Sequence, residues 1–360
     1  MEIGIIGLPK SGKTTIFNAL TRGKAETRAF SAAGVEPNVG VVKVSDERLE
    51  GLGALLKPKR LVPAEVKYVD VALAADRKDG SGGAARSHLT RTDALVLVAR
   101  AFGGEAVPAP GGVDPWRDIA AVNTELVLGD LAIAERRLER IGESLKGPRN
   151  PERDALVKEQ ALVERIRAAL EGGAAVRDQG LSAEDARAAE GYQLLSSRPV
   201  LVVLNIGEDQ LPRAAELEGE SRRRFPGFQA AAICGKLEME LAQLDDAEAA
   251  EFRTAMGVSE GALQRVIRLS YELLGMVSFF STAHGEVRAW SVRRDTPAPR
   301  AAGKIHSDME RGFIRAEVVA YRDLAGCGSM AEAKKRGLLR LEGKAYLVQD
   351  GDVITFLFSV

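Results

Sequence analysis

The sequence predicts an α/β protein: a doubly wound parallel sheet, an antiparallel helical hairpin inserted into it, and a small β-rich C-terminal part. Three observations predict this. Short, near-continuous apolar runs recur at 2–6, 65–71, 94–99 and 199–205, as in parallel strands buried on both faces. Between residues 118 and 170 the apolar positions change to the three-four spacing of amphipathic helices. After about residue 276 the pattern becomes short alternating segments separated by turn residues.

Composition bounds the function. The chain has 360 residues, which suggests two or three domains and a sizeable core without covalent staples. Lys and Arg number 50 against 51 Asp and Glu, a net charge of -1. That balance excludes a globally basic nucleic-acid binder but allows a local basic patch. Cys234 and Cys327 are too few for a disulfide framework or a thiolate zinc site. His88, His284 and His306 lie far apart, so no metal cluster is expected. The longest apolar runs, such as 199–204, are too short to span a membrane. The opening MEIGIIG enters a strand directly, with no leader pattern. A soluble, cytoplasmic protein with no membrane partner is expected.

Taken in order, the first apolar run ends at Gly7, and a helix follows whose Ile16, Phe17 and Leu20 share one face. Between them, Gly7-Leu8-Pro9-Lys10-Ser11-Gly12-Lys13-Thr14 fits G-x-x-x-x-G-K-[ST], followed by Thr15. Such a match arises by chance in roughly one chain in a hundred from average residue frequencies. The strand before it and the helix after it supply the context that the motif requires. Glycines let the backbone wrap phosphate groups with its N–H groups facing inward, and the helix N-terminus favours the negative charge. Lys13 can reach the β- and γ-phosphates, and the Thr14 hydroxyl can ligate Mg2+.

Asp70 closes the run EVKYVD. A strand-terminal aspartate on this sheet suits the Mg2+ side of such a site, and it is equally a residue type of caps and turns. Residues 118–145 and 156–170 read as the two helices of the hairpin, joined through KGPRNP (146–151). Residues 118–190 hold 11 Lys and Arg against 15 Asp and Glu, a solvated charged face over an apolar seam or a surface for a partner. PVLVVLN ends in Asn205, with Glu208 three residues on. An amide and a carboxylate beyond a parallel strand sit where ligands bind in doubly wound sheets, and the pair suits a base edge or is ordinary loop polarity. The C-terminal strands are read in VRAWSV, IRAEVVAY, LRLEG, AYLVQ and VITFLF. Residues 277–360 carry 13 Lys and Arg against 10 Asp and Glu.

These residues together resemble the YchF subfamily of Obg-related P-loop NTPases, nearly end to end. GLPKSGKTTIFNALT resembles the family's phosphate loop and first helix, and EPNVGVVKVSDERL its segment after the first switch. VNTELVLGDLAIAERRLER resembles its hairpin, PVLVVLNIGED its base-recognition segment, and the stretches from VRAWSV to VITFLF its TGS domain. The resemblance implies a Ras-like P-loop nucleotide-binding domain at 1–117 and 192–276. It implies a helical hairpin insertion at 118–191 and a β-grasp TGS domain at 277–360. It also implies ATP or GTP with Mg2+, association with the ribosome through rRNA or a ribosomal protein, and a monomer.

The implied nucleotide contacts are Gly7, Pro9, Lys10, Ser11, Gly12, Lys13, Thr14, Thr15, Asn205, Glu208, Cys234 and Gly235. Thr14 and Asp70 are the implied metal residues, and Lys13 and Asp70 the catalytic ones. Asn205-Ile206-Gly207-Glu208 keeps the family's N-x-x-E, which relaxes guanine selection, since Glu replaces the usual Asp and the stacking Lys is missing. Cys234-Gly235 stands where a Ser-Ala usually meets the base, leaving that work to backbone N–H groups.

The switches depart from the family. Leu73 stands at the glycine of D-x-A-G, and Gly34 at the threonine two residues before E-P-N, with Thr27 or Ser31 as substitute hydroxyls. No glutamine follows Leu73 to hold a water; Ala74 and Ala75 do. Two readings follow: a purine triphosphatase with slow turnover on the ribosome, or a nucleotide-binding, hydrolysis-deficient module acting through its hairpin and TGS domain. Arg311, Arg315, Lys334, Lys335 and Arg336 are the expected RNA-facing residues.

Overall fold

The structure is a computed structural model that describes residues 1–21, 23, 37–71, 82–103, 111–146, 153–244, 246–255, 261–283 and 285–359. Its strands are β1 (Glu2–Ile6), β2 (Asn38–Lys43), β3 (Arg60–Val62), β4 (Glu65–Asp70), β5 (Ala94–Arg100) and β6 (Val200–Asn205). They continue as β7 (Gln229–Ile233), β8 (Met276–Ala283), β9 (Glu286–Arg293), β10 (Phe313–Ala320), β11 (Arg340–Glu342) and β12 (Asp352–Phe358). The chain divides into two compact units. One comprises Glu2–Gly40 with Tyr68–Arg265, and the other Met1, Val41–Lys67 and Val266–Val360.

The first unit is built on the sheet β2-β4-β1-β5-β6-β7. Its interior strands run parallel, with Ile3 opposite Ala94, Leu95 opposite Val200, and Val202 opposite Ala230. All seven residues of β5 and all six of β6 are buried, as strands covered by helices on both faces must be. The strand order reverses beside β1. The loops after β1 and β5 therefore part there and leave a crevice at the carboxyl ends of the strands.

The helix Pro115–Lys146 begins where Asp114 accepts hydrogen bonds from the N–H groups of Trp116 and Arg117, with proline at its first position. Its early residues Ile119, Val122 and Leu126 pack into the core of the sheet. From Val127 onward, Ala134 and Ile141 pack instead with Leu162, Val163, Ile166 and Leu170, which draws in the antiparallel helix Arg153–Glu171. Arg137 holds Glu159 across the pair through two hydrogen bonds of 2.7 and 2.9 Å.

Asp130 stitches the returning chain to this helix. It is fully buried, accepts from the N–H of Leu195 at 3.0 Å and of Ser196 at 2.7 Å, and pairs with Arg86. Gly129 makes room for the arginine, since a Cβ there would meet the Arg86 guanidinium at 2.4 Å.

The second unit has the sheet β11-β10-β12-β8-β9-β3. Its pairs are antiparallel except β12 with β8 and β3 with β9. Alternation places Phe279, Val318 and Ile354 on one face and Phe280, Val319 and Val353 on the other. Both faces are apolar, so both are covered. The helix Ala298–Ile305 packs on the first face, while Leu49 and Leu52 of the helix Glu47–Leu56 pack on the second. Residues 41–67 thus fold with the C-terminal sheet. Arg48 secures them with bonds to both Asp46 and Asp350.

The segment AYLVQ is not a strand. Only Leu347 bridges, to Pro297. The turn is fixed instead by the buried carboxylate of Asp352, which accepts from the Tyr346 hydroxyl at 2.6 Å and from the Gln349 N–H at 2.8 Å.

Replacing Asp130 by alanine strands two backbone N–H groups and a guanidinium. The expected loss is about 3–5 kcal/mol, read from the midpoint of urea unfolding. Asp130→Asn, which retains one acceptor, should lose less. An unchanged midpoint in Asp130→Ala would contradict the stitching role.

Candidate functional site

The crevice beside β1 holds a loop with unusual backbone geometry. Gly7 has φ 150° and Gly12 φ 89°, and Lys10 adopts the left-handed conformation at φ 64°. Close approach makes both glycines necessary. A Cβ on Gly7 would meet the Val98 carbonyl oxygen at 2.3 Å, and one on Gly12 the Asn205 amide nitrogen at 2.1 Å. Pro9 and Lys10 are exposed at the top of the loop, and Ser11 is buried beneath them. The helix Lys13–Thr21 starts at the end of the loop, so its unpaired N–H groups face the crevice.

The Lys13 ammonium lies back over the loop and donates to the carbonyls of Gly7 at 2.8 Å and Leu8 at 3.0 Å. Burial pushes it below the ordinary lysine value, and the negative charge of Asp70 partly opposes this. Asp70, buried at the end of β4, accepts from the Thr14 hydroxyl at 2.9 Å and from the Asn38 amide at 3.5 Å.

Opposite the loop, Asn205 is buried at the end of β6. Its Nδ2 donates to the Ser11 carbonyl at 3.0 Å, and its Oδ1 accepts from the Gly235 N–H at 3.1 Å. Its own carbonyl accepts from Ala101 and Phe102. The side chain expected at a base edge therefore braces two loops, and the Gly235 N–H is directed to Asn205. A side chain at Gly235 would press on Ile16 at 2.8 Å and approach Thr15 at 3.5 Å, so the first helix packs tightly here. Cys234 is buried beside it, and burial pushes its thiol pKa up. Glu208 lies on the exposed rim, where the Lys236 ammonium donates to it at 3.1 Å.

The fold thus brings together residues 7–15, Asp70, Asn205, Cys234 and Gly235, with Glu208 at the edge. Gly34, Leu73, Thr27, Ser31, Ala74 and Ala75 lie outside the described residues. Asn38, Phe102 and Lys236 belong to the neighbourhood without having been singled out by the sequence. Asn38 sits within EPN, but nothing in the spacing points its amide at Asp70. Phe102 merely follows a buried strand, yet its ring lies 3.9 Å from where a Gly12 Cβ would be.

The residues present fit a nucleotide phosphate and a magnesium ion. The Ser11 hydroxyl oxygen is buried with no hydrogen-bond partner among the described residues, an orphan that a phosphate oxygen would satisfy. The cradle of two glycines cannot hold side chains. The Thr14 hydroxyl and Asp70 carboxylate are hard oxygen donors side by side. No group of three or more His, Cys, Asp or Glu that could hold a metal occurs among the described residues. A sparse oxygen set suits Mg2+, which takes few protein ligands and completes its shell with phosphate and water.

This loop, on this sheet, defines a P-loop nucleotide-binding protein. Residues 2–125 match the family described as 50S ribosome-binding GTPase, and residues 276–359 match the YchF GTPase C-terminal family, described as a protein of unknown function (DUF933). The chain belongs to the YchF family. It is 40% identical to the ribosome-binding ATPase YchF of Bacillus subtilis, with 100% of each chain covered. It is 34% identical to the Obg-like ATPase 1 of rice, Oryza sativa, covering 100% of this chain and 92% of that one. The solved structure of the Schizosaccharomyces pombe YchF GTPase superposes with a TM-score of 0.86 at 29% identity, over 99% of this chain and 97% of that one.

Lys13→Ala removes the cation of the cradle. A charge-assisted contact of this kind contributes about 1.5–3 kcal/mol. Titration with a fluorescent purine triphosphate should show at least about a tenfold loss of affinity. An unaltered affinity would remove Lys13 from the site.

Proposed function

We propose that this chain is a ribosome-associated purine nucleoside triphosphatase with slow intrinsic turnover. The observation that carries the reading is the cradle: two glycines with no room for side chains, the orphaned Ser11 hydroxyl, Lys13, and Thr14 against Asp70. Gly7, Pro9, Lys10, Ser11, Gly12, Lys13, Thr14 and Thr15 enclose the phosphates in this reading. Asn205, Glu208, Cys234 and Gly235 border the base. Thr14 and Asp70 would hold Mg2+, which neutralises charge on the β- and γ-phosphate oxygens when bound. Lys13 leaves the carbonyls of Gly7 and Leu8 for the phosphates, a move that its third N–H and the flexible lysine stem permit. Nucleotide work is assigned to 1–117 and 192–276, less residues 41–67, which fold with the C-terminal sheet, with 118–191 as a hairpin arm and 277–360 as the TGS domain.

Ribosome association is supported by the names of the relatives, ribosome-binding ATPases in Bacillus subtilis and Haemophilus influenzae. Arg311, Arg315, Lys334, Lys335 and Arg336 are exposed, a basic set suited to RNA phosphates. Arg311 and Arg336 are shared with Asp308 and Glu332, so Arg315, Lys334 and Lys335 carry more of the contact. The protein works as a cytoplasmic monomer in this reading. No described helix is long and apolar enough to cross a membrane.

Gly34 and Leu73 favour a second reading, a nucleotide-loaded module that does not hydrolyse. Phosphoryl transfer depends on positioning a water and on electrostatic support, and these two positions lack the hydroxyl and the bare backbone that suit that work. One experiment tests both readings: single-turnover hydrolysis of ATP and GTP with and without ribosomes, alongside co-sedimentation at several salt concentrations. The expected result is salt-sensitive ribosome binding with intrinsic turnover well below about one per second. Binding without any turnover selects the second reading. No sedimentation at low salt with or without nucleotide, or rapid hydrolysis by the protein alone, would overturn the first.

A further inference from the structure

The rim of the base crevice carries an ion pair that the nucleotide reading has not used. β6 and β7 are neighbours, and the segments leaving their carboxyl ends flank the same crevice. Glu208 lies on the first segment and Lys236 on the second, with Nζ to Oε1 at 3.1 Å. Both side chains are exposed, 71% for Lys236 and 48% for Glu208, so the pair contributes little to stability. Glu240 lies 3.9 Å from the same ammonium, one helical turn on, and keeps it on this side of its helix. Gly207, just before Glu208, is held by the Gln210 side chain, which accepts its N–H at 2.8 Å. The carboxylate thus hangs from a fixed loop.

The Asn205 amide is committed to Ser11 and Gly235, so it has limited capacity left to read a base. Discrimination then falls on the rim. Guanine presents two donors on its Watson–Crick edge, N1–H and the 2-amino group, and needs a free carboxylate. Adenine presents an acceptor at N1 and rewards a nearby donor. With Oε1 engaged by the ammonium, Glu208 is a weaker bidentate acceptor for the two guanine donors, and the same ammonium retains N–H groups to donate.

We propose that Lys236 is a positioning residue that sets base preference through Glu208: by engaging one carboxylate oxygen it weakens the bidentate guanine acceptor and shifts the site toward adenine. This rests on the nucleotide reading of the crevice. No lysine stands between Asn205 and Glu208 in the sequence; the ammonium at Glu208 comes instead from the helix Gly235–Leu241, with a different task.

The test is competition of ATP, GTP and ITP against a fluorescent purine triphosphate on the full-length protein, with melting temperature as a folding control. Lys236→Met should raise the affinity ratio of GTP to ATP at least threefold. It should also raise the ratio of GTP to ITP, because ITP lacks the 2-amino group that a released Glu208 would accept from. Lys236→Arg should keep the original ratios, and Lys236→Met in a Glu208→Gln background should raise neither. Ratios unchanged within twofold in Lys236→Met, or a rise that persists in the Glu208→Gln background, would overturn the proposal while leaving the nucleotide reading intact. Failure of the unmodified protein to bind any of the three would overturn both.

Discussion

The Asn205 side chain is the constraint on which the rest of the crevice depends. One buried amide joins the phosphate loop through the Ser11 carbonyl to the start of the helix after β7 through the Gly235 N–H. Its backbone carbonyl also takes the N–H groups of Ala101 and Phe102 beyond β5. Three loops from separate parts of the chain are therefore fixed to one residue. Each bond lies in a dry environment, where an unmade hydrogen bond is expensive. The requirement extends to Gly12, where a Cβ would lie 2.1 Å from the Asn205 amide nitrogen, while at Gly235 a Cβ would come to 3.0 Å from its Oδ1.

That brace converts a sheet into a site. The parallel strands β1, β5, β6 and β7 are largely buried, and they act as a base on which loops are hung. The loops carry the polar groups, with Lys13 and Thr14 near Asp70 at the start of the first helix and Glu208 with Lys236 on the exposed rim. Lys13 shows the tension built into such a site. Burial disfavours its charge, while Asp70 and two backbone carbonyls support it. A bound polyanion would relieve that tension, because it adds counter-charge to that of Asp70.

Much of this was legible in the sequence because it is local. The phosphate loop is a contiguous motif, the parallel strands are unbroken apolar runs, and the hairpin has a plain helical period. The family resemblance joined these pieces into one architecture. What escaped the sequence is non-local. β3 is three residues long, and its pairing with Glu286–Arg288 leaves no periodic trace, so residues 41–67 gave no sign of folding with the C-terminal sheet. Asp130 reads as one more charge on a helix, and only the structure shows it buried against Leu195 and Ser196. AYLVQ alternates like a strand, but the Asp352 carboxylate gathers it into a turn. Asn205 reads as a base-edge residue in the sequence, and the structure adds a bracing role, since residue type alone does not say where an amide spends its hydrogen bonds.

Calorimetric titration of Asn205→Ala with ATP and with GTP, both with Mg2+, measures what the brace does. Loss of the brace frees the phosphate loop and the base loops together. The affinities for ATP and GTP should therefore fall in parallel, by about tenfold or more, for two buried hydrogen bonds worth about 1 kcal/mol each. An undiminished affinity, or a loss confined to one of the two bases, would contradict the claim that this amide holds the site together.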